Sequence, residues 1–233
     1  MRIKGDKRVV VNLPNLFSVA TTICLAVSSM MFSSCSQSAK ETKVNLNSEA
    51  KQGEIDLSRQ DEGVVINGVK WATRNVDKPG TFVTNPEDVG MFYQWNRKVA
   101  WATIGDITDW DKTVLEGIEW EKANDPSPSG WRVPTSGEIK LLFDTEKITN
   151  ERTTQNGVNG RKFTDKITNN SIFLPVTGYR DGNGIINITL GGIYWGSGAL
   201  GKYSAYVLQF GTDFAYWSDH PRYYGYCIRP VVE

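Results

Sequence analysis

The stretch GGIYWGSGALGKYSAYVLQFGTDFAYWSDHPRYYGYCIRPVV, residues 191–232, alternates short apolar or aromatic runs with turn residues. The runs cover residues 193–195, 205–210, 214–217 and 226–231. Short runs separated by glycine, serine or aspartate are typical of successive strands joined by turns. This part of the chain is therefore predicted to form an antiparallel sheet.

Strand and turn signals continue toward the amino end of the chain. Asn67-Gly68 lies between two apolar runs and favours the positive backbone angles of a type I′ hairpin. Residues 153–164 contain Asn156-Gly157 and Asn159-Gly160, which predict the tip of a second hairpin. Residues 90–95 and 172–176 predict further strands. Residues 97–124 are polar with isolated tryptophans, and we predict an irregular, partly helical insertion there.

One helix is marked clearly in the sequence. Thr135 is followed three residues later by Glu138, which is the pattern of a capping box. Ile139, Leu142 and Phe143 then give one apolar stripe. A helix together with a majority of strands predicts an α+β domain.

The first 35 residues have the pattern of an export signal. Residues 1–34 begin with a basic segment, continue through an uncharged run at 16–32 and end in Ser33-Ser34 before Cys35. Small residues before a cysteine favour a lipoprotein signal peptidase, so we predict a signal peptide at 1–34 and lipidation of Cys35. The alternatives are an ordinary secretory signal and a retained membrane anchor, since the apolar run is close to the minimum for a span.

Composition divides the rest of the chain into two parts. Residues 35–62 are polar and contain no aromatic side chain, which predicts a flexible tether. All eight tryptophans and all nine tyrosines lie beyond residue 63, so residues 63–233 are predicted to form one folded domain. Without residues 1–34 the chain has 22 basic and 25 acidic residues, and this mildly acidic balance argues against nucleic-acid binding.

Five motifs follow one another in a fixed order along the predicted domain. They are Val69-Lys70-Trp71-Ala72-Thr73, then Gly130-Trp131-Arg132-Val133-Pro134-Thr135, then Phe173-Leu174-Pro175 with Gly178-Tyr179-Arg180, then Tyr194-Trp195-Gly196-Ser197, and finally Ile228-Arg229-Pro230-Val231. With these motifs residues 63–233 resemble the Fibrobacter succinogenes major paralogous domain. The chain has Arg74 and Ser127 where many relatives have cysteines.

The resemblance implies a location and a fold. It implies an exported lipoprotein of Bacteroidetes, anchored at the bacterial outer membrane, with the choice between cell surface and periplasmic face left open. It also implies a C-type-lectin-like domain with twisted antiparallel sheets, one or two helices and long loops. The activity of the family is largely undefined, so the resemblance bears on fold and location more than on function.

The predicted domain has few residues suited to catalysis or to metal binding. His220 is the only histidine of the chain, Cys227 is the only cysteine beyond residue 35, and no Gly-x-Ser-x-Gly motif occurs. A zinc site usually needs three or four Cys or His ligands. We therefore predict no catalytic residue, no metal and no cofactor. A pair of carboxylates remains open, because the sequence does not show which acidic residues approach one another.

An aromatic-rich segment near the carboxyl end is the best candidate for ligand binding. Aromatic faces beside hydrogen-bonding groups suit sugar rings or the anchor residues of a protein partner. The candidate residues are Tyr216, Trp217, Asp219, His220, Arg222 and Tyr223. The alternative is that these side chains only fill and cover the sheet. Among their neighbours, we expect Phe214, Tyr226, Tyr194, Trp195 and Cys227 to be buried.

The sequence thus predicts a non-catalytic recognition protein of the cell envelope. Its expected partners are a membrane, reached through the lipid anchor, and a glycan or protein ligand. A structural or assembly component of a surface complex or fibre is the second possibility, and a hydrolytic enzyme is the third.

Overall fold

The computed structural model describes residues 56–186 and 191–233. The predicted signal peptide, Cys35 and most of the predicted tether lie outside these ranges. The unit Gln52–Glu233 is compact by itself. Within the two described ranges, no helix has the length and apolar character that crossing a membrane requires.

Strands dominate the described residues. In chain order they are β1 (Val64–Ile66), β2 (Val69–Trp71), β3 (Phe92–Gln94), β4 (Ala100–Trp101), β5 (Trp131–Arg132), β6 (Ile148–Gln155), β7 (Val158–Asp165), β8 (Ser171–Pro175), β9 (Tyr179–Asp181), β10 (Gly184–Ile186), β11 (Gly192–Leu200), β12 (Ser204–Phe210), β13 (Ala215–Pro221), β14 (Gly225–Tyr226) and β15 (Val231–Val232). The helical elements are α1 (Ser136–Leu141) and the 3-10 turns Leu57–Arg59 and Lys122–Asn124.

In the described residues the strands form four sheets. Their orders are β1-β2-β15-β5, β10-β9-β14-β3-β4, β11-β12-β13 and β6-β7-β8. In the first sheet Val231 of β15 faces Trp71 of β2, so the last strand of the domain pairs with one of its first. In the second sheet β14 lies between β3 and β9. These pairings bring distant parts of the chain together.

The predicted α+β fold class is wrong, because the domain is essentially all-β. Strand accounts for 42% of the structure and helix for only 6%. The capping box is confirmed: the Thr135 hydroxyl accepts from the Glu138 N–H, and the Glu138 carboxylate accepts from the Thr135 N–H. The helix that it starts nevertheless ends at Leu141, after six residues.

Buried arginines bind two main-chain carbonyls of residues 97–124, a segment that contains little helix. The guanidinium of Arg180 donates to the Ala102 carbonyl oxygen at 2.7 Å, and that of Arg222 donates to the Leu115 carbonyl oxygen at 2.8 Å. Both arginine side chains are buried. Because these two carbonyls are satisfied by side chains from outside the segment, they do not need helical N–H partners.

Both predicted hairpins are confirmed, with the second turn at Asn156-Gly157, whereas Asn159 and Gly160 lie in β7. Asn67 and Gly68 have φ angles of 46° and 81°, and Asn156 and Gly157 have φ angles of 47° and 84°. Positive φ at both central residues is what a type I′ turn requires. The first turn joins β1 to β2 and the second joins β6 to β7.

The core contains several large aromatic side chains. Trp195 is fully buried and its indole N–H donates to the Tyr93 carbonyl oxygen at 2.6 Å. Its ring lies 4.6 Å, centroid to centroid, from that of Tyr226. The predicted burial of Tyr194, Trp195, Tyr226 and Cys227 is confirmed.

Asp61 connects residues 56–62 to the domain. Its carboxylate accepts hydrogen bonds from the N–H and the hydroxyl of Thr73 at 3.0 and 2.9 Å, and it pairs with Arg74 at 3.1 Å. Residues 56–62 belong to the segment in which we predict a tether. The end of that segment therefore contacts the folded domain.

Candidate functional site

Strand β13 carries four of the six predicted binding residues, and its alternation divides them between two faces of the sheet. In the pairing with β12, Tyr216 faces Gln209 and His220 faces Ala205, which places Tyr216 and His220 on one side. Trp217 and Asp219 lie on the other side. The predicted residues therefore do not form one binding surface.

Trp217 and Asp219 lie on the side of helix α1. The Trp217 ring is 5.8 Å from the Tyr206 ring, and the ammonium of Lys140 lies 4.1 Å from the Trp217 ring centroid. Such a cation–π contact stabilises an exposed aromatic side chain by about 0.5–1 kcal/mol. Asp219 is exposed.

Arg222 and Tyr223 belong to neither face of β13. Arg222 is buried, donates to three main-chain carbonyls and lies 4.2 Å from the Trp95 ring, so it holds the fold together instead of facing a ligand. Tyr223 is half-buried, and its ring packs 4.8 Å from that of Tyr224. The carbonyl partners of Arg222 are distant in sequence, which is why its burial was not predicted.

A cleft of about 450 Å³ lies beside His220. Its described lining combines aromatic, aliphatic and uncharged polar side chains with one carboxylate. The residues are Gly178, Tyr179, Gly191, Ile193, Gln209, Phe210, Thr212, Asp213, Phe214 and His220. Of the predicted binding residues, only His220 lines it. The structure thus places the candidate site next to the predicted segment, on one of its two faces.

Phe214 lines this cleft, and the prediction that it is buried is wrong. It is 41% exposed, follows the turn at residues 212–213 and packs across Gly211. Its ring also lies 5.2 Å from that of Tyr216. A residue next to a hairpin tip has too few neighbours to be covered, although the apolar run continues through it.

Gln209 and Tyr179 are site residues that the sequence analysis missed. Gln209 interrupts the apolar run of β12, and a polar residue inside such a run is a usable signal of a special environment. Tyr179 comes from β9, in a different sheet. No local pattern shows that β9 approaches β13, so Tyr179 could not be found this way.

His220 is fixed by two hydrogen bonds. Its Nε2 lies 2.9 Å from Gln209 Oε1, and its Nδ1 lies 2.5 Å from the Tyr226 hydroxyl. With the amide assigned so that its oxygen faces the ring, Nε2 donates and Nδ1 accepts from the Tyr226 O–H. The amide nitrogen of Gln209 has no hydrogen-bond partner among the described residues. The cleft is therefore lined by a neutral amide–imidazole pair.

Burial lowers the pKa of His220, against a smaller opposite effect of the Asp219 carboxylate. As the pH falls, His220 of the unfolded chain therefore takes up a proton near pH 6.5, before His220 of the folded chain does. The contribution of His220 to stability is complete above that pH and is lost as the pH falls toward the folded-state value. We expect the single imidazole resonance in an NMR titration to report a pKa below 6.5. A midpoint at or above 6.5 would contradict the neutral assignment.

The described lining of the cleft offers little for hydrolysis. Asp213 is its one carboxylate, and burial raises the pKa of the nearby Tyr226 phenol. Among the residues described, no group of three or more His, Cys, Asp or Glu side chains is placed to hold a metal ion. Comparison with family models, with curated proteins and with solved structures finds no match to this chain.

Proposed function

We propose that this protein is a lipid-anchored recognition protein of the bacterial cell envelope whose cleft binds an uncharged saccharide. The observation that carries the proposal is the joint placement of Tyr179, Phe214 and the neutral Gln209–His220 pair around one cleft. Its volume of about 450 Å³ is within the range of small-ligand sites.

The chemistry of the lining supports a sugar ligand. Aromatic faces such as those of Tyr179 and Phe214 contact the apolar C–H surface of a sugar ring. The free amide N–H groups of Gln209 suit sugar hydroxyl groups, which accept hydrogen bonds. The imidazole of His220 has both ring nitrogens bonded, so it orients the Gln209 amide and does not itself bind a hydroxyl group. A charged ligand would have to lose its hydration without finding an opposite charge other than that of Asp213.

Binding is better supported than hydrolysis. Glycoside hydrolysis generally uses two carboxyl groups that flank the bond to be cleaved. The described lining supplies only Asp213. We therefore assign the cleft to recognition.

The cellular location rests on the sequence. The small residues before Cys35 support lipidation, and the five ordered motifs support membership of the Fibrobacter succinogenes major paralogous domain family. Since a single acyl chain holds a protein only marginally, stable attachment would need the several chains of a mature lipoprotein.

Replacing Cys35 with alanine tests the anchor. We expect Cys35→Ala to lack the lipid mass and to keep residues 1–34, because both acylation and cleavage by the lipoprotein signal peptidase need the cysteine. Mass spectrometry of the wild-type amino terminus should show a lipid-modified cysteine. Cys227→Ala is the control and should keep the lipid mass, since Cys227 is buried. A wild-type amino terminus without any lipid mass would exclude a lipid anchor.

Phe214 and Trp217 form a matched pair for testing the cleft. They are 41% and 43% exposed and three residues apart, but only Phe214 lines the cleft. Full-length protein in detergent is first screened on a glycan array, and the best hit is then measured by calorimetry. We expect Phe214→Ala to weaken binding about tenfold or more, and Trp217→Ala to change it by less than about twofold.

The glycan measurement also has outcomes that reject the proposal. An array that gives no hit would argue against a saccharide ligand. So would an array on which Phe214→Ala leaves every hit unchanged. A larger loss with Trp217→Ala than with Phe214→Ala would place recognition on the opposite face of β13.

A further inference from the structure

Strand β13 is an edge strand in the described structure, where it pairs only with β12. The hydrogen bonds at the two ends of the β12–β13 pair show which residues of β13 bond to β12. The Gly211 N–H donates to the Phe214 carbonyl oxygen at 3.0 Å, and the Arg222 N–H donates to the Tyr203 carbonyl oxygen at 2.9 Å. In antiparallel pairs, bonded positions alternate with non-bonded ones. The even-numbered residues of β13 therefore bond to β12.

The odd-numbered residues of β13 direct their main-chain groups away from β12. These residues are Ala215, Trp217 and Asp219, and Pro221 follows without an N–H. No hydrogen bond from another described segment reaches the main-chain groups of Ala215, Trp217 or Asp219. A free row of donors and acceptors is a template for another strand.

The side chains of β13 do not protect this edge in the usual way. Natural edge strands commonly carry charged residues that discourage pairing. The edge strand β6, which is of similar length, carries Glu151 and Arg152 at its centre. Strand β13 carries one carboxylate, that of Asp219, and its first half presents Tyr216 and Trp217, both more than 40% exposed. Exposed aromatic side chains favour association.

We propose that β13 pairs antiparallel with β13 of a second copy of this chain, about a two-fold axis at Trp217. In this register Trp217 faces Trp217 of the other copy, and Ala215 faces Asp219. All three facing pairs consist of residues with outward main-chain groups, so about six hydrogen bonds can form. The resulting interface is isologous, as a closed dimer requires.

Neighbouring registers are worse for identifiable reasons. An axis at Tyr216 would place Asp219 opposite Asp213 of the other copy, and like charges facing each other destabilise a sheet. An axis at Ser218 would place Trp217 opposite Asp219 and Ala215 opposite Pro221, so the two exposed indoles would not face each other and one N–H would be missing from each outer pair. The axis at Trp217 avoids both problems and stacks the two exposed indoles.

The dimer is expected to be weak in dilute solution. Edge pairing over five residues buries less area than a stable standard interface. Confinement to a surface raises the effective concentration and so favours the paired state. The pairing itself does not depend on the identity of any ligand in the cleft.

Cysteine cross-linking of the full chain in intact bacterial cells tests both the contact and its register. Facing residues in a bonded antiparallel pair have Cα atoms about 5.5 Å apart, which suits a disulfide. We expect Trp217→Cys to give a covalent dimer on mild oxidation, visible on a non-reducing gel. Asp219→Cys alone should give at least about tenfold less, because the two sulfur atoms would be several residues apart.

Mixed expression completes the test. Chains with Ala215→Cys and chains with Asp219→Cys should cross-link to each other when they are made in the same cell. Cys227 should not contribute, because it is buried and its burial raises the pKa of its thiol. A missing Trp217→Cys dimer, or equal dimer formation by Trp217→Cys and Asp219→Cys, would overturn the proposal.

Discussion

Trp195→Ala is expected to lower the free energy of unfolding by about 3–5 kcal/mol. Trp195 is fully buried, packs against Tyr226 and donates to the Tyr93 carbonyl oxygen. Its removal leaves a cavity and an unpaired buried acceptor. For a domain of this size we expect the melting temperature to fall by about 10 °C or more.

A second substitution separates packing from hydrogen bonding. Trp195→Phe keeps an aromatic ring but removes the N–H, so its cost should be about 1–3 kcal/mol. Urea unfolding of both variants gives the comparison, with Trp217→Ala as the exposed-tryptophan control. A loss below about 1 kcal/mol for Trp195→Ala would be incompatible with its burial.

Gly90→Ala is expected to cost about 3–5 kcal/mol, because two penalties combine at this position. Gly90 has a φ of +80°, which strains any residue with a Cβ atom. An added Cβ would also lie 2.3 Å from the carbonyl oxygen of Val76. That oxygen accepts a hydrogen bond from the Met91 N–H at 3.2 Å, so the clash cannot be relieved without disturbing backbone pairing.

Gly80 provides the matched control for this prediction. Its φ of +82° is almost the same, but an added Cβ would meet nothing within 4 Å. Gly80→Ala should therefore cost only the backbone strain, about 1–2 kcal/mol. If Gly80→Ala and Gly90→Ala unfold at the same urea concentration, the close approach to Val76 contributes nothing to the loss of stability.

Features that depend on a few adjacent residues could be predicted from the sequence. The Asn-Gly pairs placed both hairpins, because positive φ at two successive positions is costly for most other residues. The spacing of Thr135 and Glu138 predicted the start of the helix, because each side chain accepts a hydrogen bond from the backbone N–H of the other residue. The burial of Trp195 and Tyr226 followed from their position in apolar runs.

Features that depend on distant contacts could not be predicted. The buried arginines Arg180 and Arg222, which bind carbonyls of residues 97–124, come from parts of the chain that are distant in sequence. The candidate cleft joins Tyr179 of β9 to Gln209 of β12 and His220 of β13. A search for neighbouring aromatic residues instead selected Trp217 and Arg222, which lie on the opposite face and in the core.

The pairing of β2 with β15 has a consequence for how the protein is made. Trp71 cannot pair with Val231 until almost the whole domain has left the ribosome, so the first sheet cannot close during synthesis. Contacts between residues so far apart in sequence also slow folding. A first sheet that stays open during synthesis is compatible with the export that we propose, in which the chain crosses a membrane before it folds.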